Sequence, residues 1–281
     1  MNTKIAVISD IHGNLEALNK VIKDIKKSGI GRIICLGDVV GYGPDPGACL
    51  DKLLEQNDII FIMGNHESMI LKETTDERCS NLGKTSHKWT ERMLDDCQID
   101  SIAQNFKQFY KNEEFLFTHA SYPYSTDWNY AYNPQSYNDN FRDIDGNIRF
   151  VFLGHTHRPQ VCFFDNEADQ YIINQINKAG VFSFQRNSKN INFINTGSVG
   201  QGRAGETKAS YVQLIVNSDT VKVKYRKLRY RSFITYFKII KRGLGVEIAS
   251  FLIQENRRRR IYEHTYNWGQ RFFGLIFKRE S

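Results

Sequence analysis

No run of eighteen apolar residues occurs in this 281-residue chain, and its opening, MNTKIAVISD, holds only a short apolar stretch followed at once by an acidic residue. A spanning helix needs about 20 consecutive apolar residues, so a conventional transmembrane segment is excluded and no signal peptide is expected. Paired cysteine motifs are also missing. Cys35, Cys49, Cys79, Cys97 and Cys162 are odd in number, widely spaced and nowhere arranged as CxxC. That argues against a secreted disulfide framework and against a thiolate zinc site, and the expected setting is a reducing cytoplasm. Internal repeats are absent as well.

What is present is unevenly distributed. The formal net charge of +7 conceals a basic tail: residues 222–281 carry sixteen Lys and Arg against four Glu, leaving twenty-two basic and twenty-seven acidic residues in 1–221. A chain of this length can bury the core of one substantial α/β domain plus an appendage.

Lys4–Ser9 is an apolar run suited to a strand buried on both faces, and Asn14–Lys27 places Leu15, Leu18, Val21, Ile22 and Ile25 at helical spacing. The pattern recurs with a strand at Arg32–Leu36, a helix at Pro46–Gln56 and a strand at Ile59–Met63, each strand running into a Gly-rich polar loop. Such alternation predicts parallel pairing in a layered architecture. Glu114–Thr118 and Arg149–Leu153 read as two more buried strands, separated by an aromatic stretch expected to be a long loop over a site. From Gln160 onward, alternating segments around Val161–Phe164, Tyr171–Ile173, Val181–Phe184, Asn192–Ile194, Ser210–Val216 and Lys222–Lys227 predict the short strands of a second sheet.

Each apolar run of the first half leads into potential metal ligands at its C-terminal end. Ile8 precedes Asp10 and His12, Leu36 precedes Gly37-Asp38, Met63 precedes Gly64-Asn65-His66-Glu67, Thr118 precedes His119, and Leu153 precedes Gly154-His155-Thr156-His157. Sites in open α/β sheets form at the carboxyl ends of strands, so these segments are expected to converge. Five of the seven histidines in the chain lie there. Any one segment alone is equally an ordinary turn, cap or core histidine; five in this order are not. Carboxylate, imidazole and amide donors without thiolates suit Mn²⁺, Fe²⁺ or Zn²⁺, and one carboxylate can bridge two such ions.

Asp10-Ile-His12, Gly37-Asp38-Val-Val-Gly41, Gly64-Asn65-His66-Glu67, His119 and Gly154-His155-Thr-His157 resemble the ordered motifs of the calcineurin-like metallophosphoesterases. SDIHGNLEAL, GDVVGYGPDP and NTGSVGQGR are similar to the small bacterial and archaeal phosphodiesterase branch, over about residues 1–228. The resemblance implies two mixed β-sheets packed as a sandwich flanked by helices. The residues themselves mark 229–281 as a basic, aromatic C-terminal extension, expected to be helical from the apolar spacing of Ile234–Lys241 and Gly245–Glu255. The resemblance also implies two divalent ions, Mn²⁺ first, with Fe, Zn²⁺ or Ni²⁺ as alternatives. Asp10, His12 and His157 would hold one ion, Asn65, His119 and His155 the other, and Asp38 would bridge them. A hydroxide between the metals would attack phosphorus, with His66 beside the scissile phosphate and Glu67 orienting His66. The implied partner is a phosphate-ester substrate, with diesters favoured; phosphomonoesters, dinucleoside polyphosphates, phosphoproteins and a catalytically inactive scaffold are the alternatives.

The late motif lacks both prolines of the NPGSVGQPR seen in relatives, and Val-Gly-Tyr-Gly replaces the Asp-Arg-Gly continuation of protein phosphatases. Arg203 reads more readily as a loop-end surface arginine than as a phosphate contact. His87 and His264 read as non-ligands. Tyr42 and the aromatic stretch would either stack on a nucleobase or pack internally. The tail, with Arg257–Arg260 interleaved among aromatics, would either bind nucleic acid or an anionic surface, or pack on its own body. A homo-oligomer is also compatible with the sequence.

Overall fold

The computed structural model describes residues 3–123, 128–165, 170–186, 190–203 and 206–252. The chain begins with β1 (Thr3–Ile8), α1 (Leu15–Lys27), β2 (Arg32–Cys35), α2 (Pro46–Leu54) and β3 (Ile59–Ile62). The short α3 (Asn65–Ile70) leads to α4 (Asn81–Met93) and α5 (Asp96–Asn105), then β4 (Phe106–Lys107), β5 (Phe109–Asn112) and β6 (Phe115–Thr118). After α6 (Pro134–Asn140) come β7 (Phe150–Leu153), β8 (Gln160–Asp165), β9 (Gln170–Gln175), β10 (Gly180–Gln185) and β11 (Asn192–Asn195). The chain continues through β12 (Ala209–Val216), β13 (Thr220–Leu228), α7 (Ser232–Lys241) and α8 (Val246–Leu252).

Two mixed sheets result, ordered β10-β13-β12-β1-β2-β3-β4 and β5-β6-β7-β11-β8-β9. β1, β2 and β3 pair in parallel, as do β6, β7 and β11. The apolar runs lack polar alternation because both strand faces are covered. Along β1, Ala6 and Ile8 join the core under α1, while Val7 joins Phe117, Phe152 and Val212 between the sheets. The inter-sheet layer is rich in aromatic pairs: Phe115 stacks on Phe150 and Phe117 on Phe152, at 5.4 and 5.1 Å between centroids.

α1 follows directly from its sequence. The Asn14 side chain caps it by accepting from Ala17 N at 3.2 Å, and Ala17, Leu18, Val21, Ile22 and Ile25 are buried. Each large aliphatic side chain there contributes about 1.5–3 kcal/mol on burial, so a charge at Val21 would separate helix from sheet.

Two expectations need correction. The strands after Gln160 do not form a sheet of their own: β10, β12 and β13 extend the sheet begun by β1, while β8, β9 and β11 join β6 and β7. Alternation identifies a strand but carries no information about a partner far away in sequence. The aromatic stretch after His119 is not wholly loop either. It contains α6, whose Tyr137 is fully buried and accepts a hydrogen bond from Gln160 Nε2 at 2.6 Å.

α7 packs along α1, and its polar residues fasten both early loops. Thr235 Oγ1 lies 3.0 Å from Asn14 Oδ1 and 2.9 Å from Glu16 Oε2, and Lys238 Nζ donates to Glu16 and to buried Asp45 at 2.6 and 2.8 Å. Arg242 pairs with Asp45 at 2.9 Å. Ile239, Leu244, Ile248 and Ala249 close a small apolar cluster against Leu82 and Trp89 of α4. We therefore expect a chain ending at Leu228 to lose roughly 3 kcal/mol or more, since it strands a buried carboxylate. That is about 10 °C in Tm by calorimetry; an unchanged Tm would refute the packing. The arginine run 257–260, His264 and the tail aromatics from Tyr262 lie outside the described residues. Among the described residues, no helix is long and apolar enough to cross a membrane.

Candidate metal centre

The parallel strands deliver their C-terminal ends to one edge of the sandwich. β1 ends at the Asp10–His12 loop, β2 at Asp38, β3 at Asn65 and His66, β6 at His119 and β7 at His155 and His157. The backbone there is strained: Asp10, His12, Asp38, His155 and His157 have φ of 55°, 48°, 53°, 62° and 59°. Left-handed conformations cost a side-chain-bearing residue about 1–3 kcal/mol and persist only where surroundings over-determine them. Here Asp10 N donates to Gly37 O at 3.0 Å, and His12 N to Asp38 O at 2.9 Å. These bonds tie the β1 and β2 loops together.

Each candidate imidazole is oriented through one nitrogen by a backbone carbonyl, leaving the other nitrogen to face inward. His12 Nδ1 donates to Val40 O at 3.2 Å, His119 Nδ1 to Leu36 O at 2.7 Å, His157 Nδ1 to Gln201 O at 2.6 Å and His155 Nε2 to Trp128 O at 2.9 Å. This arrangement fixes the tautomer of a ligating histidine. It also leaves the inward nitrogens of His12 and His157, 3.0 Å apart, as two facing lone pairs. A cation between or beside them, or a further proton on one ring, relieves that contact.

The inward atoms form two groups that share one carboxylate: Asp10, His12, Asp38 and His157 in the first, and Asp38, His119 and His155 in the second. Asp38 Oδ2 lies 3.3 Å from His119 Nε2 and 3.7 Å from His12 Nε2, while Asp10 Oδ1 lies 3.1 Å from His157 Nε2. Asn65 Oδ1 and His155 Nδ1 are buried without a hydrogen-bond partner, and Asp10 Oδ1 and His119 Nε2 face only other members of the cluster. Buried polar atoms are rarely left without a partner. Four such inward atoms in one cluster, all oxygen or nitrogen with no thiolate, fit divalent ions of the Mn²⁺, Fe²⁺ or Zn²⁺ type.

Electrostatics agree. Against burial, His119 and His66 hold the Asp38 carboxyl well below the usual range, and the Asp38 carboxylate raises His119 to about 9 although burial opposes it. Burial, reinforced by His119, pushes His155 down to about 3, and burial also lowers His12 and His66. Ionised carboxylates and neutral imidazoles are the forms that coordinate metals, so a metal would have to displace the proton that Asp38 holds on His119.

His66 sits beside this cluster. Its backbone N–H donates to Asp38 Oδ1 at 3.0 Å, and its ring lies 4.9 Å from that of His12 and 5.0 Å from Tyr42. Room for the ring comes from Gly41, where a Cβ would fall 2.2 Å from His66 Nδ1. Glu67 departs from expectation. Rather than bonding His66, its carboxylate accepts from the backbone N–H groups of Asp38, Val39, Val40 and Gly64 at 2.8, 2.7, 3.1 and 3.1 Å. Burial and the nearby Asp38 push its pKa up to about 7, while the backbone donors favour the charged form. Its work is to hold the Asp38 loop in place. We expect Glu67→Gln, which aims an amide NH₂ at backbone donors, to fold but bind metal about 10- to 100-fold more weakly, read by metal titration.

A cavity of about 820 Å³ opens above, lined by Asp38, Asn65, His66, His155 and His157 at its base, by Thr74–Ser80 on one wall and by Trp128–Tyr130 on the other. The aromatic residues turn toward the imidazoles: Tyr42 meets His12 at 5.0 Å, Trp128 meets His119 at 5.8 Å, and Tyr130 stacks on His155 at 4.3 Å. Arg203 also lines this cavity; only its place at the end of NTGSVGQGR could have signalled it. His87, on α4, does not. The orienting carbonyls of Leu36, Val40, Trp128 and Gln201 have no sequence signature, since any residue supplies one.

Residues 3–219 match the model of the calcineurin-like phosphoesterase superfamily domain. An uncharacterized protein of Methanocaldococcus jannaschii is 33% identical over 247 residues, 87% of this chain and 95% of that protein. The crystal structure of a metallophosphoesterase from Sphaerobacter thermophilus is similar at a TM-score of 0.74 and 26% identity, covering 90% of this chain and 98% of that one. With ordered motifs, paired sheets and a carboxylate–imidazole cluster at the strand ends, the chain belongs to the calcineurin-like phosphoesterase superfamily.

Proposed function

We propose that this protein is a phosphodiesterase requiring two divalent ions, Mn²⁺ foremost, with Asp10, His12 and His157 holding one, Asn65, His119 and His155 the other, and Asp38 shared. Two ions so placed polarise a phosphoryl group and make water nucleophilic near neutral pH. His66 donates a hydrogen bond or proton to the departing oxygen, its ring being set by Asp38 and Gly41. Glu67, through four backbone N–H groups, keeps Asp38 in register with both halves. The observation that carries this reading is the presence of two donor groups meeting at Asp38.

The preference for diesters rests on the resemblance of the motifs to the phosphodiesterase branch. The cavity extends beyond the donor cluster between two walls, with space for a bulky ester substituent. A nucleotide or nucleic-acid diester is the first natural class to screen, given the basic tail. The test is hydrolysis of bis-p-nitrophenyl phosphate beside p-nitrophenyl phosphate by chelator-stripped protein with Mn²⁺ restored. Diester activity requiring Mn²⁺ is expected. Activity confined to the monoester would replace the reading with a phosphatase, and none on either by metal-loaded protein would count against both.

A further inference from the structure

Arg203 ends the loop after β11 and lines the cavity beside His155, His157, Tyr42 and Tyr130. That loop is seated on the β1 loop. Val199 N donates to Ser9 O at 2.9 Å, Gly200 N donates to Asp10 O at 3.0 Å, and Gln201 O accepts from His157 Nδ1 at 2.6 Å. A Cβ on Gly200 would fall 1.7 Å from Ile11 O, so no slack remains between the two loops. Arg203 is thus carried on the backbone that orients two candidate ligands.

Its surroundings are unusual for a half-buried cation. The guanidinium lies within electrostatic range of the phenols of Tyr130, Tyr132 and Tyr42 and of the Asp10 carboxylate. No described residue offers it a carboxylate at ion-pairing distance. Neutral phenols do not neutralise a guanidinium, and a partly buried charge without a counter-ion favours an anionic ligand. Its planar fork matches two oxygens of one phosphate.

We propose that Arg203 grips the non-reacting oxygens of the substrate's phosphate, an inference that rests on the phosphoesterase reading above. Tyr130, which lines the same cavity, flanks the guanidinium there. An anchor of this kind holds ground state and transition state alike, so its loss should raise KM far more than it lowers kcat.

The experiment uses full-length protein loaded with Mn²⁺, with inorganic phosphate as the calorimetric probe and bis-p-nitrophenyl phosphate as the kinetic one. Arg203→Met should weaken phosphate binding about 10- to 100-fold and raise KM by a similar factor, since charged hydrogen bonds of this type are lost. Arg203→Lys should recover part of both, because it restores the charge without the fork. Metal content and Tm should match the parent in both variants. Unchanged phosphate affinity in a metal-loaded Arg203→Met protein would overturn the proposal. So would loss of metal by both variants, which would make Arg203 a structural residue. Should the parent bind phosphate through Arg203 yet hydrolyse neither ester, the anion site stands and the phosphodiesterase reading falls; should it hydrolyse with Arg203 immaterial, the reverse holds.

Discussion

Asp38→Ala is expected to reduce diester hydrolysis by about 10³-fold or more while leaving a folded protein. Asp38 is the residue common to both donor groups, with Oδ2 at 3.3 Å from His119 and 3.7 Å from His12. Removing it would withdraw the donor shared by the two proposed ions and a negative charge that would offset their repulsion. A loss of several kcal/mol in transition-state stabilisation follows, and each 1.36 kcal/mol is a factor of ten in rate. The same residue accepts the His66 backbone N–H through Oδ1 at 3.0 Å. Asp38→Asn keeps an acceptor there and part of the local geometry, so it isolates the charge. Comparing kcat/KM and bound metal for the two variants separates these contributions. Full activity in either, at full metal occupancy, would remove Asp38 from the centre.

The second large effect is on stability. The site buries Asn65 Oδ1 and His155 Nδ1 without hydrogen-bond partners, crowds Asp10 and Asp38 among imidazoles, and has five left-handed residues among its candidate ligands. Ions that bind the native state and not the unfolded chain stabilise it by about 2.7 kcal/mol at one hundred times Kd. For a domain of this size that corresponds to a rise in Tm of about 5–10 °C for each ion. Differential scanning calorimetry of chelator-stripped protein, with and without added Mn²⁺, measures it directly. Asp38→Ala should show a much smaller rise, and an equal rise in that variant would place the metal elsewhere.

Much of the site was legible in the sequence because its chemistry is local. A strand buried on both faces reads as an unbroken apolar run, and a ligand at its end reads as the first polar residue after it. Asp10, Asp38, Asn65 and His119 stood out in that way, and the structure brings them to one edge with His12, His155 and His157. The helical spacing of Leu18, Val21, Ile22 and Ile25 placed α1 for the same reason. Glu67 was legible as part of a motif, yet its partners were not: four backbone N–H groups from two loops have no residue type to announce them. Arg203 failed differently, since an arginine after a glycine-rich turn has the same sequence whether it faces solvent or a cavity.

The sequence alone thus determined most of the strands and helices and which side chains can donate to a metal, and its ordered motifs resemble those of phosphoesterases. The first two depend on periodicity and residue chemistry over a few neighbouring positions; α6, within the aromatic stretch, escaped them. Only the tertiary structure decided that β10, β12 and β13 return to the sheet of β1, and that α7 ties Glu16 to Asp45. It alone brought Arg203 to share a cavity with His155. Each of these depends on groups far apart in the chain being brought together by burial of the two sheets against each other, and no local pattern encodes which distant partner that burial selects.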